Sequence, residues 1–155
     1  MNKIVIIGAG NVAWNLAHTL PFCGCAVTQI VSRTKHAAQT LAMGTGADFT
    51  ANFAQISSDA DFYIYAVRDD ALNAVIEQVR VNSGIHIHTS GAVDMSVFKR
   101  KKDNYGVFYP YQTFTKNKLV DFKQTPIFIE ANSEKNLEII YNFSKNISNK
   151  IFKIN

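Results

Sequence analysis

The sequence predicts an α/β domain built on a doubly wound, mostly parallel sheet, and three observations lead there. Strand-like and helix-like segments alternate along almost the whole chain. The first strand-like run, Lys3 to Ile7, is continuously apolar after its lysine, as in a strand covered on both faces. The junction that follows, Gly8-Ala9-Gly10-Asn11-Val12-Ala13, places two glycines and an alanine where that run meets a helical pattern. At 155 residues and 47% hydrophobic, the chain is long enough for one core and leaves little room for a second.

Val12, Leu16 and Leu20 recur at helical spacing until Pro21, so the first helix should stop there. Ala26 to Val31 reads as the second strand. Thr34 stands where a cap is needed for a helix carrying Ala37, Ala38, Leu41 and Ala42, and Gly44 would close it. Asp48 to Thr50 is a short third strand. Asp61 to Val67 is the fourth, and Asp69 or Asp70 would cap a helix with Leu72, Val75, Ile76 and Val79 on one face. Ile85 to Thr89 is the next strand, Asp94 to Lys101 reads as helical, and Tyr105 to Tyr109 as extended. Pro126 to Glu130 is a strand, Glu134 to Asn146 a helix with Leu137, Ile140 and Tyr141 inward, and Lys150 to Ile154 a last strand.

No apolar run approaches the roughly 18 to 20 residues of a membrane span, and the amino terminus carries no signal-peptide pattern, so a cytoplasmic protein without a membrane partner is expected. Cys23 and Cys25 form Cys-Gly-Cys with no second pair and no neighbouring histidine, which reads as small loop residues and no metal site. The formal net charge is +4. Its only dense cluster, Lys99 to Lys102, reads as a solvated helix end, so no nucleic-acid partner is expected; a basic balance equally suits a polyanionic cofactor.

The glycine junction is G-x-G-x-x-A at the end of a strand and the start of a helix, the context a dinucleotide-binding turn requires. Gly8 permits the tight turn, Gly10 lets the backbone approach a pyrophosphate, and Ala13 keeps helix and strand close. Free N–H groups and the positive helix end would face the phosphates. The alternative is a purely architectural strand-to-helix turn. At the end of the second strand, where NAD-binding proteins carry an acid for the ribose 2′-hydroxyl, this chain has Ser32-Arg33-Thr34-Lys35. Hydroxyls and a guanidinium suit a 2′-phosphate, so NADP is favoured over NAD. The competing reading is that Thr34 only caps its helix while Arg33 points to solvent. Three further loops should share that sheet edge: Ala66-Val67-Arg68-Asp69, His88-Thr89-Ser90-Gly91-Ala92, and Tyr109 to Phe114.

GAGNVAWNLAHTL, VSRT, DFYIYAVRDDAL, HTSGAV and YGVFYPYQTF, in this order, resemble a Rossmann-like bacterial family of NADP oxidoreductases related to deazaflavin-coenzyme-dependent reductases. The arrangement is more remotely similar to pyrroline-5-carboxylate reductase and the β-hydroxyacid dehydrogenases. The resemblance spans nearly the whole chain. It implies that Gly8, Ala9, Gly10, Asn11 and Val12 hold the pyrophosphate, that Ser32, Arg33 and Thr34 hold the 2′-phosphate, and that Ala66, Val67 and Arg68 pass the cofactor ribose. Thr89, Ser90, Gly91 and Tyr109-Pro110 would lie near the nicotinamide. The family usually continues into a helical domain that forms a homodimer and closes the substrate pocket. The expectation here is a single NAD(P)-binding domain over residues 1–155, with that helical domain absent from the chain.

Hydride transfer to or from a small carbonyl or imine substrate also needs a positioned hydrogen-bonding or proton-transfer group. The candidates are Ser90 and His88. His86 and His88 alternate with Ile85 and Ile87 and so share one face of their strand, where a hydrogen-bonded structural role competes with catalysis. The rival to an enzyme is a non-catalytic module that binds or senses NADP(H).

Overall fold

The structure, a computed structural model, describes residues 1–154. Eight strands form one sheet: β1 (Asn2–Ile7), β2 (Cys25–Val31), β3 (Asp48–Thr50), β4 (Phe62–Tyr65), β5 (Ile85–His88), β6 (Tyr105–Pro110), β7 (Ile127–Ala131) and β8 (Ile151–Lys153). Their spatial order is β3-β2-β1-β4-β5-β6-β7-β8. All neighbours are parallel except β6 and β7. That antiparallel pair follows from the connection, because residues 111–126 carry no α-helix to return the chain to the opposite edge.

Four helices cover the sheet: α1 (Asn11–Thr19), α2 (Lys35–Met43), α3 (Asp69–Gln78) and α4 (Glu134–Lys145). Alternation along the strands divides the core in two. Ile4, Ile6, Ile30, Ile64 and Phe108 face α1, α2 and α4, meeting Leu16, Leu41 and Phe143. Val5, Ile7, Val31, Tyr63 and Tyr65 face α3, meeting Leu72, Val75 and Ile76. Both faces of the central strands are therefore buried, which is why those strands read as unbroken apolar runs.

Several local expectations are corrected. Thr34 occupies the N-cap position of α2, but its side chain makes no capping bond. Gly44 is the C-cap of that helix, as expected, with φ −80°; a left-handed residue follows at Gly46, φ +74°. Arg68, not an aspartate, is the N-cap of α3; Asp69 and Asp70 lie inside its first turn, where their charges favour the positive helix end. The helix expected over Asp94 to Lys101 is one 3₁₀ turn, Met95–Phe98, capped by Asp94 and ended by Arg100 at φ +66°. Nor is the Lys99–Lys102 cluster wholly solvated. Lys102 is 6% exposed and donates to the carbonyls of Val79 and Val81 at the end of α3. Cys25 opens β2 rather than a loop, and burial pushes its thiol up to about 11, with Cys23 adding to the shift. On α4 the fully buried residues are Asn136, Ile140, Phe143 and Ser144, while Leu137 and Tyr141 are half-buried at the margin.

Candidate functional site

The parallel register brings the ends of β1, β4 and β5 level, with Ile7 beside Tyr65 and Tyr65 beside His88. The chain continues the ladder one step beyond each strand. Gly8 N donates to Val31 O at 2.7 Å, Ala66 N to Ile7 O at 2.8 Å, and Thr89 N to Tyr65 O at 3.3 Å. The glycine turn and the loops after β2, β4 and β5 thus leave one sheet edge side by side. β1 is the switch point of the strand order, since the chain runs outward from it in both directions. Ligands of open α/β sheets bind in the crevice at such a point.

A cleft of about 230 Å³ lies there. Gly8, Ala9 and Gly10 form one wall, Ser32 and Arg33 a second, and Ala66, Val67 and Arg68 a third. Its floor includes Phe53, Ala37, Ala71 and Val75, none of which was a sequence-based candidate. Phe53 follows β3 in a short 3₁₀ turn, and an isolated aromatic in a polar stretch carries no periodic signal. Thr34, Asn11, Val12, Thr89, Ser90 and Gly91 do not line this cleft.

The two glycines do different things. Gly8 has φ +124°, and a Cβ there would run into the Ala66 carbonyl and press on the Val67 side chain. Gly10 has φ −86° and ψ −158°, extended backbone open to any residue, and its missing Cβ points into open space. Gly10 is also the N-cap of α1, so no side chain caps that helix. The first intrahelical bond is Trp14 N to Gly10 O at 2.9 Å, which leaves the N–H groups of Asn11, Val12 and Ala13 ahead of the hydrogen-bond ladder. No acid occupies the first turn of α1. Arg33 and Arg68 bring two guanidinium groups to the cleft lining, which contains no carboxylate. The Asp70 carboxylate accepts from Arg68 Nη2 at 3.2 Å; both side chains are largely exposed, so the pair is weak. The site thus offers uncapped N–H groups, positive charge and unfilled space to an anionic ligand.

The other loop candidates lie further along the same edge. His88 is fully buried, and its Nδ1 accepts from Ser90 N–H at 3.1 Å. Burial pushes its imidazole below the usual histidine range, partly offset by the backbone of Val93, the charge of Asp69 and the Asp94 backbone and charge. Ser90 Oγ accepts from Ala92 N–H at 3.0 Å and Val93 N–H at 3.1 Å. The Tyr109 ring comes too close to Gly91 for any side chain there. His86 is structural in its contacts. Its Nε2 is 3.0 Å from Ser83 O, which can only accept, so Nδ1 takes the Tyr65 hydroxyl proton at 2.9 Å. Burial, then the charge of Lys102, pushes its pKa down to about 3.

Among the described residues no three His, Cys, Asp or Glu side chains gather as a metal site, and no helix is long and apolar enough to cross a membrane.

Comparison with known proteins agrees with this fold. NADP oxidoreductase BF3122 from Bacteroides fragilis superposes with a TM-score of 0.93 at 35% identity, over 99% of this chain and 61% of that one. Protein TM1727 from Thermotoga maritima matches at 0.79 and 20% identity, over 97% and 57%. A pyrroline carboxylate reductase from Plasmodium falciparum, solved with NADP bound, matches in fold at 0.74 and 12% identity, over 99% and 58%. The chain therefore spans about three-fifths of the length of these relatives. No curated protein matches it. The model of the family described as "NADP oxidoreductase coenzyme F420-dependent" matches residues 3–89, more than half of the chain. The chain, a Rossmann-like domain of pyridine-nucleotide oxidoreductase type, belongs to that family.

Proposed function

We propose that the cleft binds NADP(H), and that residues 1–155 form the nucleotide-binding domain of an oxidoreductase acting on a small carbonyl or imine substrate. One observation carries the reading: the cleft at the switch point joins the glycine turn to Ser32, Arg33 and Arg68, with two guanidinium groups and no carboxylate in its lining. A pyrophosphate placed over Gly10 meets the N–H groups of Asn11 and Val12 and the positive end of α1. Ser32 and Arg33 stand at the end of β2, where a carboxylate would repel a 2′-phosphate and a guanidinium pairs with it. Ala66, Val67 and Arg68 form the wall along the ribose. A reductase of the same fold was solved with NADP bound, which supports a pyridine nucleotide as the ligand.

When bound, the nicotinamide supplies or accepts the hydride. The chain's own residues position it: Thr89, Ser90 and Gly91 extend the edge beyond Ala66, and the Ser90 hydroxyl is the group placed to hydrogen-bond a polar ligand atom there. In a longer protein, a helical domain would close the substrate pocket and form the homodimer. The test is calorimetric titration of the chain with NADPH and NADH at one fixed salt concentration. Tighter binding of NADPH is expected, and absence of binding by both would overturn the proposal.

A further inference from the structure

The loop after β5 is held by a hydrogen-bond chain that the sheet edge alone does not explain. His88 is wholly inside the protein, stacked on Phe98 at 5.8 Å between ring centroids. Its Nδ1 faces the Ser90 N–H, which can only donate. Nδ1 must therefore be the unprotonated nitrogen, and the proton of the neutral ring sits on Nε2. That nitrogen is buried without a hydrogen-bond partner.

The Ser90 side chain is also engaged: its Oγ receives both the Ala92 and Val93 N–H groups. A hydroxyl has two acceptor sites and one donor. Both acceptor sites are occupied, so only its O–H remains to engage a ligand. Gly91, between Ser90 and Ala92, has no room for a side chain because the Tyr109 ring abuts it.

We infer that His88 is a positioning residue: by accepting the Ser90 N–H it holds the Thr89–Gly91 loop so that Ser90 presents a hydroxyl able only to donate. Such a group takes an acceptor atom, a carbonyl oxygen, imine nitrogen or carboxamide oxygen, and does not serve as a base. The ligand's identity rests on the reading of the cleft as an NADP(H) site; the loop mechanism does not.

The test uses the 155-residue chain and reads the mechanism separately from nucleotide binding. Long-range proton–nitrogen NMR at pH 7.5 should show His88 with Nδ1 unprotonated and Nε2 protonated; a protonated Nδ1 overturns the inference. Amide exchange should then separate three variants. H88N keeps an acceptor in the place of Nδ1 and should leave the Ser90 amide within about twofold of wild type. H88L removes the acceptor and should speed Ser90 exchange roughly tenfold or more. S90A should speed Ala92 and Val93 exchange while the amide of residue 90 stays protected. Equal Ser90 exchange in wild type, H88N and H88L overturns the proposal. If H88L does not fold, the wild-type tautomer and the S90A pattern still decide it. NADPH titration of the same variants should follow the exchange order. A wild type that binds no NADPH would sink the nucleotide reading alone.

Discussion

Gly8 and Ala66 meet backbone to backbone: no side chain fits at Gly8 without striking the Ala66 carbonyl, and Gly8 itself has φ +124°. This contact joins the glycine turn to the loop after β4 and so defines two walls of the cleft. It also separates the glycine that builds the site from the one that leaves room in it.

Gly8→Ala and Gly10→Val should accordingly fail in different ways. G8A combines a backbone clash with a left-handed φ and should lose about 2 to 4 kcal/mol of stability in urea unfolding. G10V has allowed backbone and open space, so it should unfold within about 1 kcal/mol of wild type yet lose NADPH and NADH binding together. A folded G10V that binds both cofactors normally would remove the pyrophosphate from this turn.

Arg33→Ala should weaken NADPH by about 1.5 to 3 kcal/mol, the range of a hydrogen bond to a charged group, and leave NADH unchanged. Calorimetry with each cofactor reads the difference. Equal losses would mean that Arg33 does not distinguish the 2′-phosphate.

Asn15 ties α1 to the segment after β6. Its amide donates to Asn11 O at 3.1 Å and Thr115 O at 3.0 Å, while its carbonyl accepts from Val120 N–H at 3.0 Å, all from a side chain sealed from solvent. Asn15→Ala should cost about 1 to 3 kcal/mol and free that segment, whose Lys116 and Lys118 are exposed. Trypsin should then cut there several times faster than in wild type; unchanged cleavage would show that other contacts hold the loop.

Acid should destabilise the fold through His86. Its folded pKa of about 3 lies below the ordinary histidine value of 6.5, so the unfolded chain binds the proton first as pH falls. The stabilisation is complete above about pH 6.5 and is lost progressively down towards pH 3. At pH 5 the loss is about 2 kcal/mol relative to pH 7.5, from roughly 1.4 kcal/mol per pH unit. Urea unfolding at the two pH values measures it, and His86→Gln should remove most of the difference.

Much of this architecture was legible because burial on both faces writes itself into composition. Ile4 to Ile7 of β1 and the whole of β4 are unbroken apolar runs, and the helical spacing of Leu72, Val75 and Ile76, continued by the C-cap Val79, marks the buried stripe of α3. Helix ends were read less well. Asp69 and Asp70 suit both a cap and a first turn chemically, and the chain path decides which. Lys102 looked solvated because its neighbours are; the free carbonyls at the end of α3, which draw it inward, belong to a different segment.

By itself the sequence determined the strand–helix alternation, the glycine turn and the absence of an acid after the second strand. These are local properties, set by periodicity, backbone freedom and side-chain charge within a few residues. Only the tertiary structure decided that Gly8 abuts Ala66, that Phe53 floors the cleft, and that His88 faces inward to hold Ser90. Those contacts join strands distant in sequence, or depend on which face of a strand is covered, and the sheet order β3-β2-β1-β4-β5 is what brings them together.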